Sequence, residues 1–148
     1  MGSWYWGHAR AGPYVLVWID ALTQDNKPYV SGYAVRDGQI LSTSCDTSIV
    51  QVRPVGHNIT HPPFPGSPTP DTYHLEMTLN DGALLSAEIR PQVQSGGFGM
   101  YARWVGNITV AVGDDEVHEG LASYEYFNFF GVDRMSFDVP NIEMTRQQ

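Results

Sequence analysis

The sequence predicts an all-β chain: an antiparallel β-barrel of about eight strands, closed around an apolar interior that can hold one small hydrophobic ligand. Three observations carry this. Runs rich in β-branched and aromatic residues alternate with turn signals along the whole chain. Nearly all of these runs follow one another as hairpins. Helical periodicity is weak everywhere, and a meander of eight strands has exposed edges unless its sheet closes. A β-sandwich is the competing all-β arrangement.

The elements follow in order. The first run, 14–22, is bounded by Gly12-Pro13 and by Asp25-Asn26. The second, 29–35, meets the third, 39–44, across Asp37-Gly38, a strong hairpin signal. A fourth covers 48–55. Runs 73–79 and 83–90 flank Asn80-Asp81-Gly82, and runs 100–112 and 117–130 flank Gly113-Asp114-Asp115-Glu116. The tail 141–148 is too short and polar to assign. Gly96-Gly97-Phe98-Gly99 has no helix behind it, so it reads as a turn and not as a phosphate loop.

One segment breaks the rhythm. Residues 54–71 contain Pro54, Pro62, Pro63, Pro65, Pro68 and Pro70 and cannot join the interior of a ladder. Two readings stand side by side. In one the segment is a lid or wall over the barrel mouth, with Phe64 dipping inward and His57 and His61 at the rim. In the other it is a surface connector.

Composition narrows the function classes. The 148 residues suit one domain spanning 1–148, with 42% hydrophobic and 16% charged residues. The net charge of −8, with only 8 Lys plus Arg, leaves no basic face for nucleic acid. No apolar run approaches the ~20 residues needed to span a bilayer, and the N-terminus lacks the pattern of a signal peptide. Localisation cannot be read from this end of the chain. The single cysteine, Cys45, rules out an internal disulfide framework and gives no zinc pattern. His57 and His61 are four apart but sit in the Pro-rich segment, where that spacing predicts no metal site. No nucleophile elbow or phosphate loop is present.

Alternation separates two faces of the first run. Tyr14, Leu16, Trp18 and Asp20 share one, and Val15, Val17 and Ile19 share the other. Amphipathic aromatics with one carboxylate are the usual lining of a ligand pocket, so the first set is predicted inward. The opposite assignment, with the aliphatics filling the core and Tyr14 and Trp18 outside, stays open. The aliphatic set could pack on another domain or a helix. In later runs Tyr124, Tyr126 and Asn128 share a face, as do Trp104 with Ala102, and Tyr33 with Tyr29.

The N-terminal segment is the most informative. Trp4-Tyr5-Trp6-Gly7-His8-Ala9-Arg10-Ala11-Gly12-Pro13-Tyr14 runs into Val17-Trp18-Ile19-Asp20. It resembles the start of the C-terminal lipocalin-like β-barrel domain of the fungal Diels–Alderases. These are distant relatives of the carotenoid 1,2-hydratases (hydroxyneurosporene synthases). The family pattern is roughly Trp-Tyr-Trp-Gly-His/Arg-x-Arg-x-Gly-Pro-Tyr, then Val-Trp-x-Asp. Asp37-Gly38-Gln39-Ile40-Leu41 and the closing 120–126 also look like the family. Family members usually carry two β-domains with the pocket between or beneath them. The resemblance here covers the second alone, which leaves an upstream domain as an expected partner.

The resemblance implies a cofactor-free pericyclase acting on a hydrophobic polyketide or terpenoid intermediate. A cycloaddition within one molecule needs no nucleophile; the protein must fold a flexible substrate so that its reacting ends meet. Candidate hydrogen-bonding and acid–base residues are His8, Arg10, Tyr14 and Asp20, with Asp20 and His8 able to form an acid–base pair. Candidate substrate walls are Trp4, Trp6, Trp18, Tyr33, Phe64, Trp104, Tyr124 and Tyr126. Each has a plainer role open to it: core filling for the aromatics, an ion pair with Asp20 or Glu125 for Arg10, a turn anchor for Tyr14. Two other functions remain: a hydratase or dehydratase of isoprenoid-like substrates, and a carrier of hydrophobic ligands without catalysis. Pairing of N-terminal segments between chains would make a homodimer.

Overall fold

The computed structural model describes residues 1–130. The tail 141–148, unassigned from sequence, lies outside the described residues. Nine antiparallel strands form one sheet: β1 Ser3–Ala11, β2 Tyr14–Leu22, β3 Pro28–Arg36, β4 Gln39–Ser44, β5 Val50–Val55, β6 Thr72–Thr78, β7 Leu84–Phe98, β8 Tyr101–Val112 and β9 His118–Asn128. The order is β4-β3-β2-β1-β9-β8-β7-β6-β5. No helix occurs among the described residues, and the all-β expectation is borne out.

The extra strand is β1. The segment that reads as a motif is a full strand, paired along its length with β2 on one side and β9 on the other. Both its edges are therefore used inside the chain, which leaves none for pairing between chains. This long-range partnership with β9 makes the meander circular and could not be read from local turn signals.

The sheet curls into a nearly closed barrel whose seam lies between β4 and β5. Side chains and turns bridge the seam in place of a ladder. Ser42 Oγ donates to Thr78 O at 3.1 Å, and Asn80 N donates to Leu41 O at 2.9 Å. Higher up, the Asp20 carboxylate of β2 accepts the Val52 N–H of β5 at 3.0 Å. A carboxylate thus takes the place of the missing neighbour strand and satisfies an edge donor that would otherwise stay unpaired.

Turn chemistry explains the corners. Asp37 and Gly38 both have positive φ, 49° and 79°, as a two-residue hairpin turn of the primed kind demands. Pro54 lies inside β5, opposite Tyr73, against the expectation that this proline stands clear of any ladder. It is tolerated because β5 is the last strand of the sheet and needs no second partner. The strand predicted to stop at Arg90 continues to Phe98, bent by two register shifts after Pro91 and Gln94, so Gly96 and Gly97 belong to β7.

The core follows the two-residue period. Tyr14, Leu16, Trp18 and Asp20 are buried, while Val15 and Val17 are exposed, so the predicted facing of this strand holds. The inward set also includes Ala9, Ala34, Val50, Val52, Leu75, Met77, Leu85, Ala87, Ile89, Ile108 and Val110.

Candidate active site at the phenol end of the barrel

The candidate site is built from one layer of neighbouring strands. Tyr5 of β1 stands between Asp20 of β2 and Tyr126 of β9. One step deeper, Gly7 stands between Trp18 and Tyr124, and Tyr124 is paired with Trp104 of β8. Gly7 is small for a reason: a Cβ there would collide with Trp18 Cζ2 and fall 2.8 Å from Tyr124 Cβ. The indole crosses the space that a side chain at position 7 would fill. From the far wall, β6 contributes Tyr73, whose ring lies 5.6 Å from Tyr5 and 5.3 Å from Tyr124.

The Pro-rich loop closes this end. His61 reaches inward until its ring is 5.7 Å from that of Tyr5. Asn128 at the end of β9 donates through Nδ2 to Phe64 O at 2.9 Å and to Ser67 Oγ at 3.1 Å. Ser67 Oγ also shares a 3.1 Å hydrogen bond with the Tyr126 hydroxyl. The loop therefore lies over the mouth, and the inward residue is His61. Phe64, expected to dip inside, is exposed because its backbone carbonyl, not its ring, faces the barrel.

The polar atoms at this end are unusual. The hydroxyls of Tyr5, Tyr73 and Tyr124, Trp104 Nε1 and His61 Nδ1 are all buried without a hydrogen-bond partner. A buried donor left unpaired costs about 1–3 kcal/mol, so native proteins rarely gather several. Burial raises the pKa of all three phenols. Tyr5 is pushed further by Tyr126 and Asp20, with Arg53 opposing, and Tyr73 by the phenols around it. His61 is held below the ordinary histidine range, first by burial and then by the Arg53 guanidinium, with Asp20 opposing. The result is a cluster of neutral donors in apolar surroundings, beside an imidazole whose protonation is disfavoured.

Asp20 and Arg53 border the phenol cluster. Arg53 Nη1 sits 2.8 Å from Asp20 Oδ2 and 2.7 Å from Val52 O. The Asp20 oxygen that could serve chemistry is thus engaged by a guanidinium and a backbone N–H.

The structure brings together five of the predicted site residues: Trp18, Asp20, Trp104, Tyr124 and Tyr126. It separates the rest. With Tyr5 inward, the strand period sends Trp4, Trp6, His8 and Arg10 to the outer face. His8 therefore cannot form an acid–base pair with Asp20 across the strand. The ion pairs expected for Arg10 are taken by others: Asp20 by Arg53 and Glu125 by Arg103. Tyr33 is likewise on the outer face of β3. Tyr14 is inward but six residues from Asp20, roughly 20 Å along the strand, at the opposite end of the barrel. There the Arg36 guanidinium lies 5.3 Å from its ring centre.

Tyr5, Arg53, Tyr73 and Asn128 were missed, and His61 was placed only at the rim. Alternation on β1 would have found Tyr5, had that segment been read as a strand. Arg53 and His61 depend on the path of a long loop and on the barrel seam, which leave no periodic signal.

The outer face carries hollows. Three, of about 640, 430 and 360 Å³, run across the outside of β7–β8–β9–β1–β2. Trp4 and Trp6 line the smallest, and His8 and Arg10 the middle one.

No family model matches the chain. It is 36% identical over 127 residues to the quinolone epoxide rearrangement protein penF of Penicillium thymicola. It is 33% identical over 127 residues to the quinolone epoxide rearrangement protein asqO of Emericella nidulans. Each match covers 86% of this chain and 35% of the relative, so the chain spans about a third of the length of the curated relatives it matches. Among solved structures, CghA and CghA with Sch210972 each align with a TM-score of 0.66 at 18% identity, over 87% of this chain and 41% of CghA. That likeness is one of fold.

Proposed function

We propose that this chain, which is similar to the fungal quinolone epoxide rearrangement proteins, works in the cofactor-free cyclisation or rearrangement of a hydrophobic natural-product intermediate at the phenol end of its barrel. The observation that supports this reading is the cluster of buried, unpartnered donors on Tyr5, Tyr73, Tyr124 and Trp104. Donors fixed in an apolar room suit an oxygen on which negative charge grows as bonds break. They demand no reorganisation at the moment of reaction, and the closed loop keeps water from competing.

Two reactions use the same room. In an epoxide rearrangement, as in the names of penF and asqO, the phenols would hydrogen-bond the ring oxygen. One C–O bond breaks and leaves its electron pair on that oxygen. A substituent then migrates with its bonding pair to the electron-poor carbon, and the oxygen pair closes to a carbonyl. The reaction is an isomerisation: no atom enters or leaves, and no redox partner is involved. The rings of Tyr5, Tyr73 and Trp18 would face the developing positive charge. In a cycloaddition, the walls Trp18, Trp104, Tyr124 and Tyr126 would instead hold diene and dienophile together, with a phenol on the dienophile carbonyl. Most of the acceleration then comes from orientation.

The test is turnover by the purified chain with a quinolone epoxide, and separately with linear polyene and quinone-methide precursors. Conversion above the uncatalysed rate, or a changed product stereochemistry, is expected with at least one set. Failure with both overturns the reading. Tyr73→Phe separates the branches, because a rearrangement that leans on the donor loses far more than a cycloaddition that leans on shape.

A further inference from the structure

Loop 56–71 joins β5 to β6 and covers donors that have no partner. Its side-chain ties to the rest of the barrel are few and gathered at one point. Asn128, itself buried, spends both Nδ2 hydrogen bonds on Phe64 O and Ser67 Oγ, and its Oδ1 accepts the Phe130 N–H. The Tyr126 hydroxyl adds its bond to the same Ser67 Oγ. At the base, Asp71 N donates to Val55 O and closes the loop where the strands begin. Between base and latch the loop bonds mainly to itself, as in Thr60 Oγ1 to Pro62 O and Ser67 N to Phe64 O. Four prolines within 62–68 stiffen it.

From this geometry we infer that loop 56–71 is a lid, latched at Ser67 by Asn128 and Tyr126, that must swing away for an apolar, oxygen-bearing guest to reach the phenols. The inference rests on the reading that the phenol end is the ligand site. With the lid shut, the Tyr5, Tyr73 and Tyr124 hydroxyls are buried and make no hydrogen bond to the protein. A guest that brings a carbonyl or ether oxygen supplies the acceptor they lack, so opening is repaid on occupancy. The latch, by contrast, is fully satisfied when shut and exposes hydroxyl and amide groups that water can solvate when open. Opening is therefore inexpensive at the latch and rewarding beneath it.

A reversible staple tests the lid. The chain carrying Ser67→Cys and Asn128→Cys, with Cys45→Ser to prevent mispairing, is compared oxidised and reduced. The probe is 2-acetylnaphthalene, an apolar ketone, and its association is followed by quenching of tryptophan fluorescence. Near-ultraviolet circular dichroism checks that both redox forms keep the same packing. The oxidised form is expected to bind at least about tenfold more slowly than the reduced form, as gating by a lid requires. Asn128→Ala alone is expected to associate faster than the unmodified chain. Equal rates for the oxidised and reduced forms would overturn the lid and leave the site reading intact. A Tyr5→Phe, Tyr73→Phe, Tyr124→Phe variant that binds as tightly as the parent, while the staple still blocks, would keep the lid and remove the phenols as its purpose. No binding by any form would overturn both.

Discussion

The two ends of the barrel interior are built on opposite principles. Toward the β1–β2 turn the interior is filled with small and aliphatic side chains: Ala9, Ala11, Leu16, Ala34, Met77, Leu85, Ala87 and Val110. Apart from the Tyr14 hydroxyl it holds little that needs a partner. Toward the Pro-rich loop the same cylinder is lined by Tyr5, Trp18, Tyr73, Trp104, Tyr124 and Tyr126 and carries a cluster of unpaired polar atoms. The first end is a packed core that holds the strands together. The second keeps buried polar atoms that no protein group pairs. A functional site is where such a breach of the rule that buried polar groups are paired is expected.

The sharpest way to break this contrast is to cut into each end. Leu85 is fully buried in the aliphatic end. Leu85→Ala should cost about 2–5 kcal/mol, the lost transfer of the side chain plus the cavity left behind. Chemical denaturation measures it, and a loss below 1 kcal/mol would mean that this end is not the packed core.

Tyr73→Phe at the other end should behave in reverse. It deletes a hydroxyl that has no partner, so folding stability should hold steady or rise by about 1 kcal/mol. Turnover of an epoxide substrate should fall by roughly 10²–10³, the range for losing one preorganised donor. A variant that loses stability and keeps turnover would show that the hydroxyl has a structural partner, and the contrast would vanish.

How much of this was legible follows from the kind of signal each part leaves. The inward set Tyr14, Leu16, Trp18 and Asp20 was readable because a strand period of two is local. So was the Asp37-Gly38 turn, where two positive φ angles select residues directly. Trp18, Trp104, Tyr124 and Tyr126 reach the site for the same reason. Tyr5 lies on the face of β1 opposite Trp4, Trp6, His8 and Arg10, and local alternation alone does not say which face is inside. Only the pairing of β1 with β9, more than a hundred residues away, shows which side is inside. Asp20 was recognised as special, but its partner was not. Arg53 arrives across the barrel seam, and a seam formed by side-chain hydrogen bonds has no sequence period.

Gly7 sharpens the contrast at the boundary between the ends. Gly7→Ala would push its Cβ against the Trp18 indole and the Tyr124 Cβ. An overpacked core of this kind costs about 1–3 kcal/mol. Because the indole must shift toward the phenols, binding of an apolar ketone should weaken along with the lower midpoint of unfolding. If thermal melting and ketone affinity both stay unchanged, Trp18 is free to move, and the room above it is looser than its contacts imply.

The smallest effect concerns His61, the one imidazole at the phenol end. Its pKa is held down in the folded chain by burial and by Arg53, with Asp20 opposing. A histidine whose folded pKa is depressed favours the folded form while it stays neutral. That contribution is complete above the unfolded value of about 6.5 and is lost as pH falls through the folded value. Relative to His61→Gln, the parent chain should therefore lose stability between pH 7 and pH 5, while the two lines run parallel above pH 7. The groups facing the ring set the sign: Arg53 repels the imidazolium and Asp20 attracts it. Removing Arg53 by Arg53→Met should shrink the acid loss by leaving Asp20 unopposed. Paired urea titrations of the parent and the variants at steps of pH would read this difference. A gap that widens toward alkaline pH would mean that the imidazole is held charged, and that the phenol end is wetter and more acidic than its burial implies.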